Sequence, residues 1–251
     1  MSGHSHWATI KRKKSAADAK KGKIFTRLAR EIVIATREGG GDPEMNVRLE
    51  LAIDKAKAAN MPKDSIERAI KRGTGEDKAG ENFEEMLYEG YAPHGVALMI
   101  ECVTENRNRT VAELRHILTK AGGNMADPGS VSWQFERMTY FALPADAHDF
   151  DEIFELAVEA GADDIEQDDD LIEIFGTPNS YQSIADHLTK ANIKPEDSGI
   201  KFLPKQEVSL DTEKTIKVMK TIENLEDLDD VQNIYSNLDI TEEAIQAMEN
   251  E

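Results

Sequence analysis

Nine cations stand within Lys11–Arg30 (Lys11, Arg12, Lys13, Lys14, Lys20, Lys21, Lys23, Arg27 and Arg30) against one acid, Asp18. Ammonium and guanidinium groups at that density suit a polyanion, whose phosphates they neutralise with release of counterions. Just ahead of them Trp7 follows His4 and His6. An indole in that position either anchors the segment by burying its ring or stacks on an unpaired base while the cations hold phosphates. Arg107 and Arg109 precede a helical pattern starting at Val111, where positive charge opposes the helix dipole. Together with the free N–H groups of that helix end they would form an anion site; ion pairs with nearby acids are the alternative. Arg68, Lys71 and Arg72 complete the set of candidate nucleic-acid-binding residues.

Other chemistries find less support. Cys102 is the only cysteine, which excludes an internal disulfide. It sits in an apolar strand pattern without a positive neighbour in sequence, so an inert core thiol is expected. Read as a calcium loop from Asp164, the acidic run has Asp169 where glycine is required and Phe175 where a bidentate Glu belongs. His94, His116, His148 and His187 lack metal-ligand spacing. If Met1 is removed, Ser2-Gly3-His4 offers an amine, backbone nitrogens and an imidazole to Cu(II) or Ni(II), but a nucleic-acid partner competes for His4. The expectation is no catalytic site, no cofactor and no small-molecule substrate.

Charge divides the 251-residue chain, whose net formal charge is −19. Residues 1–75 carry 17 Lys or Arg and 9 Asp or Glu, a net of +8, and residues 76–251 carry 13 and 40, a net of −27. A basic module for a polyanion joined to an acidic remainder is the reading. No apolar run reaches the roughly 18 residues of a membrane span, so a soluble, cytoplasmic protein is expected.

The basic part reads as helices. Ile24, Leu28 and Ile32, with Phe25, Ala29 and Val33, form one apolar face of a helix that presents Lys23, Arg27, Arg30 and Arg37 on the other. Gly39-Gly40-Gly41-Asp42-Pro43 ends it, a second helix runs to Asn60, and Pro62 opens a third that stops at Gly73. Gly73–Glu81 reads as a linker. Beyond it, strand patterns at Phe83–Tyr91, Val96–Val103, Val131–Phe135, Thr139–Leu143, Ala162–Glu166, Leu171–Phe175, Val208 and Val231–Tyr235 alternate with helical ones. Helices covering one face of each sheet, an α+β architecture, follow from that alternation.

Gly3-His4-Ser5, Trp7-Ala8, Lys13-Lys14 and Gly22-Lys23-Ile24-Phe25 resemble the opening of the YebC/PmpR family. So do Arg37-Glu38-Gly39-Gly40-Gly41-Asp42-Pro43, Asn60-Met61-Pro62-Lys63, Glu89-Gly90-Tyr91, Asn106–Thr110 and Gly129-Ser130-Val131. Two positions depart from the family's pattern: His6, where members commonly carry Lys, and Ala92-Pro93-His94-Gly95, where a more Gly-rich turn is usual. The resemblance implies an N-terminal helical bundle followed by two ferredoxin-like α+β domains, the third inserted in the second. Its boundaries would be 1–75, 82–133 plus 205–251, and 134–204. It implies a non-catalytic regulator of gene expression that binds DNA in transcription, or alternatively ribosomal RNA as a translation factor.

Overall fold

The first helix, α1 (Asp18–Gly39), is more enclosed than its apolar stripe requires. Ile32, Val33, Ile34 and Ala35 are buried in succession, so that stretch of the helix is covered on every side. The computed structural model describes residues 18–77, 83–168 and 170–249. Helices α2 (Val47–Ala58) and α3 (Lys63–Gly73) close the bundle around Leu49, Ala52, Ala56, Ile66 and Ala69. Gly73 lets α1 and α3 touch: a Cβ there would lie 2.5 Å from Cβ of Thr36 and 2.8 Å from the carbonyl oxygen of Val33. The same core takes in Phe83 and Val103, so the bundle is packed on the sheet that follows. The expected linker begins as a turn in which the N–H groups of Glu76 and Asp77 donate to the carbonyl of Lys71. Residues 78–81 of that expectation lie outside the described residues.

Two α+β units follow. The chain forms β1 (Glu84–Tyr91), β2 (Ala97–Thr104), α4 (Arg107–Ala121) and β3 (Asn124–Ala126). It then builds β4 (Phe135–Pro144), α5 (Phe150–Glu159), β5 (Asp164–Gln167), β6 (Leu171–Gly176), α6 (Tyr181–Lys190) and β7 (Asp197–Pro204) before α7 (Thr212–Glu226), β8 (Val231–Ser236) and α8 (Glu242–Glu249). The strand orders are β3-β1-β2-β8 and β5-β6-β4-β7, with all pairs inside the sheets antiparallel. The unit β4 to β7 is thus a complete ferredoxin-like β-α-β-β-α-β inserted between β3 and α7. In the first sheet β2-α4-β3 is likewise a split β-α-β, but the strand between its arms, β1, precedes it in the chain.

Apolar alternation places Leu98, Ile100 and Cys102 of β2 against Leu114 and Leu118 of α4 and Val218, Met219, Ile222 and Leu225 of α7. Phe141, Leu143, Ile172 and Ile174 of the second sheet meet Ile153 and Ala157 of α5 and Ile184 and Leu188 of α6. The strand expected at Val131–Phe135 is corrected: Ser132–Gln134 is a 3-10 turn, and Phe135 opens β4. The reason is that the N–H groups of Val131 and Ser132 are taken by the carboxylate of Glu89. Val208 makes only an isolated bridge with Leu238. No helix among the described residues is long and apolar enough to cross a membrane.

Ending the chain at Pro204 removes α7, β8 and α8 and uncovers Leu98, Ile100, Leu114 and Leu118. Such a truncation is expected to lose the cooperative unfolding transition of the first sheet while the inserted unit keeps its own. Calorimetry, with hydrogen exchange to assign each transition, checks this.

Candidate nucleic-acid interface

The described cations from Lys23 to Arg37 on α1 are bonded to the rest of the chain. Lys23 donates to the carbonyl of Asp227 at 3.0 Å, Arg27 to that of Gln232, and Arg30 to that of Asp229. Arg37 donates to the carbonyl of Phe83 at 2.6 Å, and the Arg30 guanidinium lies 5.4 Å from the centroid of the Phe83 ring. The outward cationic face expected from periodicity is therefore corrected: it is the docking face of the bundle. Asp227 caps the C-terminal end of α7, where the helix dipole is negative, and Asp229 and Asp230 follow it. Three cations at one-turn spacing meet that anionic corner. Burial pulls the Arg27 guanidinium below its ordinary range, with Glu31 opposing.

At the centre of the corner lies Asp230, 2% exposed. Its carboxylate accepts from Arg109 at 2.9 Å on both oxygens, from the hydroxyl of Thr110 at 2.7 Å and from that of Thr104 at 3.1 Å. Arg30 stands 3.1 Å away. Burial alone would raise this carboxyl, but the bonds from Arg109 and Thr110, the charge of Arg30 and the Thr104 hydroxyl outweigh it and hold it below the usual carboxylate range. Arg107 pairs with Glu84, and the Asn106 side chain caps α4 by accepting from the N–H of Arg109 at 3.2 Å. Of the two alternatives for the arginine pair, ion pairing within the chain is what its geometry displays. Cys102 beside this corner is 1% exposed, and its thiol is pushed up to about 12 by burial and by the charges of Asp230 and Glu101. Arg30 is the positive neighbour absent from its sequence surroundings, and it only partly opposes the rise.

The remaining candidates are placed differently. Arg68 and Lys71 are exposed on α3, where Arg68 bonds Asp64 and Ser65 of its own helix. Arg72 lies 3.6 Å from Asp77. Lys20 and Lys21 fall in the first turn of α1, with side chains outside the described ones. His4, Trp7, Lys11, Arg12, Lys13 and Lys14, and with them the Ser2-Gly3-His4 motif, lie outside the described residues. Among the described residues no three His, Cys, Asp or Glu side chains converge as metal ligands.

Two features escaped the sequence reading. Arg115, His116 and Lys120 on α4, and Lys214 and Lys217 on α7, are exposed on the two helices that cover the first sheet. Their clustering within a strongly acidic stretch was the available signal. The second is a loop held by Glu89, whose buried carboxylate accepts from the N–H groups of Gly129 at 2.7 Å, Val131 at 2.5 Å and Ser132 at 3.0 Å. Burial would raise Glu89, but these backbone bonds keep it low. Gly129, at φ +89°, makes the turn that aims them inwards.

Known proteins resemble this chain over nearly its whole length. The TACO1/YebC protein N-terminal domain matches residues 5–76, and the TACO1/YebC second and third domain matches residues 83–238. A probable transcriptional regulatory protein of Geotalea uraniireducens is 50% identical, over 99% of this chain and 100% of its own length. One from Acidithiobacillus ferrooxidans is 51% identical over 99% of both. The crystal structure of a conserved hypothetical protein from Aquifex aeolicus superposes with a TM-score of 0.84 at 47% identity, covering 94% of this chain and 98% of that one.

Asp230→Ala leaves Arg30, whose side chain is only 11% exposed, without its carboxylate. A loss of about 3–5 kcal/mol in unfolding free energy at neutral pH is expected. Because the folded carboxyl is held low, its contribution is present above the unfolded value of about 3.9 and disappears as pH falls through the lower folded value. Denaturant titrations from pH 7 to pH 2 check this: the variant's curve is lower at neutral pH and lacks that part of the acid limb.

Proposed function

Because the chain belongs to the TACO1/YebC family, we propose that it is a nucleic-acid-binding regulator of gene expression whose grip lies in the segment around Lys11–Lys21. The observation that carries this reading is the occupation of the cations on the docked face of α1 and of Arg109 on α4. Lys23, Arg27, Arg30, Arg37 and Arg109 are bonded to Asp227, Gln232, Asp229, Phe83 and Asp230. A phosphate chain would have to break those bonds, whereas Lys11, Arg12, Lys13, Lys14, Lys20 and Lys21 precede the docked face in the chain. Arg68 and Lys71 extend the cationic surface from α3. No catalytic step enters the proposal.

Duplex DNA is the first ligand in this proposal, a reading that the relatives' name, probable transcriptional regulatory protein, supports. One observation favours RNA on the ribosome as a second reading. On α3 the exposed acids Asp64 and Glu67 stand beside Arg68 and Lys71, which would bring carboxylates against phosphates if this helix entered a duplex groove. A cationic segment bearing Trp7 and His4 suits unpaired bases instead.

Replacing Lys11, Arg12, Lys13 and Lys14 together by Ala is expected to reduce the slope of log K against log salt by about 3–4 units. An unchanged slope removes the segment from the interface. Trp7→Ala separates the ligands: a lost stack costs roughly 1–3 kcal/mol on structured RNA and little on duplex DNA, where phosphate contacts dominate. Binding of both variants to matched DNA and ribosomal RNA at fixed salt gives the answer.

A further inference from the structure

The inserted unit carries a surface that the nucleic-acid reading leaves unused. From Met138 to Thr189 the chain has 14 Asp or Glu and no Lys or Arg. Within this stretch α5 (Phe150–Glu159) puts Ile153 and Ala157 into the core, yet Phe154 is 46% and Val158 52% exposed. Phe150 stands one turn before Phe154, their ring centroids 6.0 Å apart. At 100° per residue, 150, 154 and 158 form a continuous stripe. Asp151, Glu155 and Glu159 border it on its solvent side, and all three are exposed.

Single exposed apolar residues are ordinary on protein surfaces, but Phe154 and Val158 stand a turn apart and continue from Phe150 as one uncovered stripe. The charge around them selects the partner. Nucleic acid and acidic membranes are repelled by a carboxylate border without a compensating cation on the same 52 residues. A helix with Leu- or Val-like side chains on one face and Lys or Arg along its edges satisfies both the stripe and the border. We propose that α5 is a docking site for a basic amphipathic helix of a partner protein, with Phe154 and Val158 as apolar anchors and Asp151, Glu155 and Glu159 as charge partners. This site is independent of the nucleic-acid reading and stands or falls separately.

The test uses the full chain and two synthetic peptides of equal length and charge, one a Lys/Leu amphipathic helix and one a Lys/Ser control. Wild type is expected to bind the Lys/Leu peptide at least about tenfold tighter, the equivalent of roughly 1.4 kcal/mol. Phe154→Ser with Val158→Ser should abolish that preference, and Asp151→Asn with Glu155→Gln and Glu159→Gln should weaken both peptides. Equal binding of the two peptides by wild type, or an undiminished preference in the serine variant, overturns the proposal. Self-association that the serine variant abolishes, or protection of α5 by DNA or RNA, reassigns the stripe and overturns it too. Should the serine variant melt early, photo-crosslinking of the Lys/Leu peptide to wild type decides: adducts on residues 150–159 support the site, and adducts elsewhere refute it.

Discussion

A carboxylate withdrawn from water loses several kcal/mol of hydration unless charge and hydrogen bonds replace it, and Asp230 is the point where this chain meets that requirement. Its replacements come from three elements: Arg30 of α1, Arg109 and Thr110 of α4, and Thr104 at the end of β2. Removing any one leaves the others with a less compensated charge, so the carboxylate fixes how the bundle, the helix and the sheet meet. Apolar packing between Val103, Phe83 and the bundle holds the same junction but is not directional. The ionic corner supplies the direction. Lys23 then lengthens the contact at the C-terminal end of α7, where the last carbonyls attract positive charge, and Arg27 extends it to the carbonyl of Gln232 in β8.

This junction changes what the charge division of the sequence means. A basic N-terminal part and an acidic remainder suggest two surfaces facing different partners, yet much of the attraction is satisfied within the molecule. Contact continues at the inserted unit, where Lys194 lies 3.1 Å from Asp54 of α2. Burial alone would lower Lys55, but the charges of Glu31 and Asp197 keep its ammonium raised. The acids thus serve first to seat the bundle. Under the proposed function, it is cations beyond that seat that attract the polyanion.

Much of the fold was legible because long elements carry strong periodicity. Tyr181–Ala191 and Phe150–Ala160 were readable as helices from Ile184 and Leu188, and from Ile153 and Ala157, at one-turn spacing. Strands β3 and β7 were not. Asn124–Ala126 is three residues long, and Asp197–Pro204 is only partly buried along most of its length, so neither alternates. The insertion came from family resemblance, since no local signal tells a strand which sheet it joins. At the site the residue types were legible and their partners were not. Arg109 and Asp230 are 121 positions apart, and a hydrophobic pattern records that a face is covered without recording what covers it. The exposed stripe on α5 was hidden for a related reason: Phe154 and Val158 fit the apolar arc of an ordinary amphipathic helix, and only the structure separates the part of that arc that is buried.

The inserted unit is joined to the first sheet by two chain crossings, and whether it can swing depends on how they are held. Glu89 fixes the outgoing crossing through three backbone N–H groups. The returning one is pinned where the N–H of Lys205 donates to the carbonyl of Gln134 at 2.8 Å. Asn237 ties the same place to the first sheet, accepting from the N–H of Ala97 at 2.8 Å and donating to the Gln134 side chain at 3.2 Å. Phe202 of β7 packs edge-on against Tyr235 of β8, their centroids 5.5 Å apart. Units that move freely are joined by exposed linkers with few contacts. Here the crossings are short of free backbone donors, and one is locked by a buried carboxylate that could not leave its bonds without an unpaired charge. The inserted unit is thus tied to the first sheet by hydrogen bonds at both crossings and by the contact of Phe202 with Tyr235.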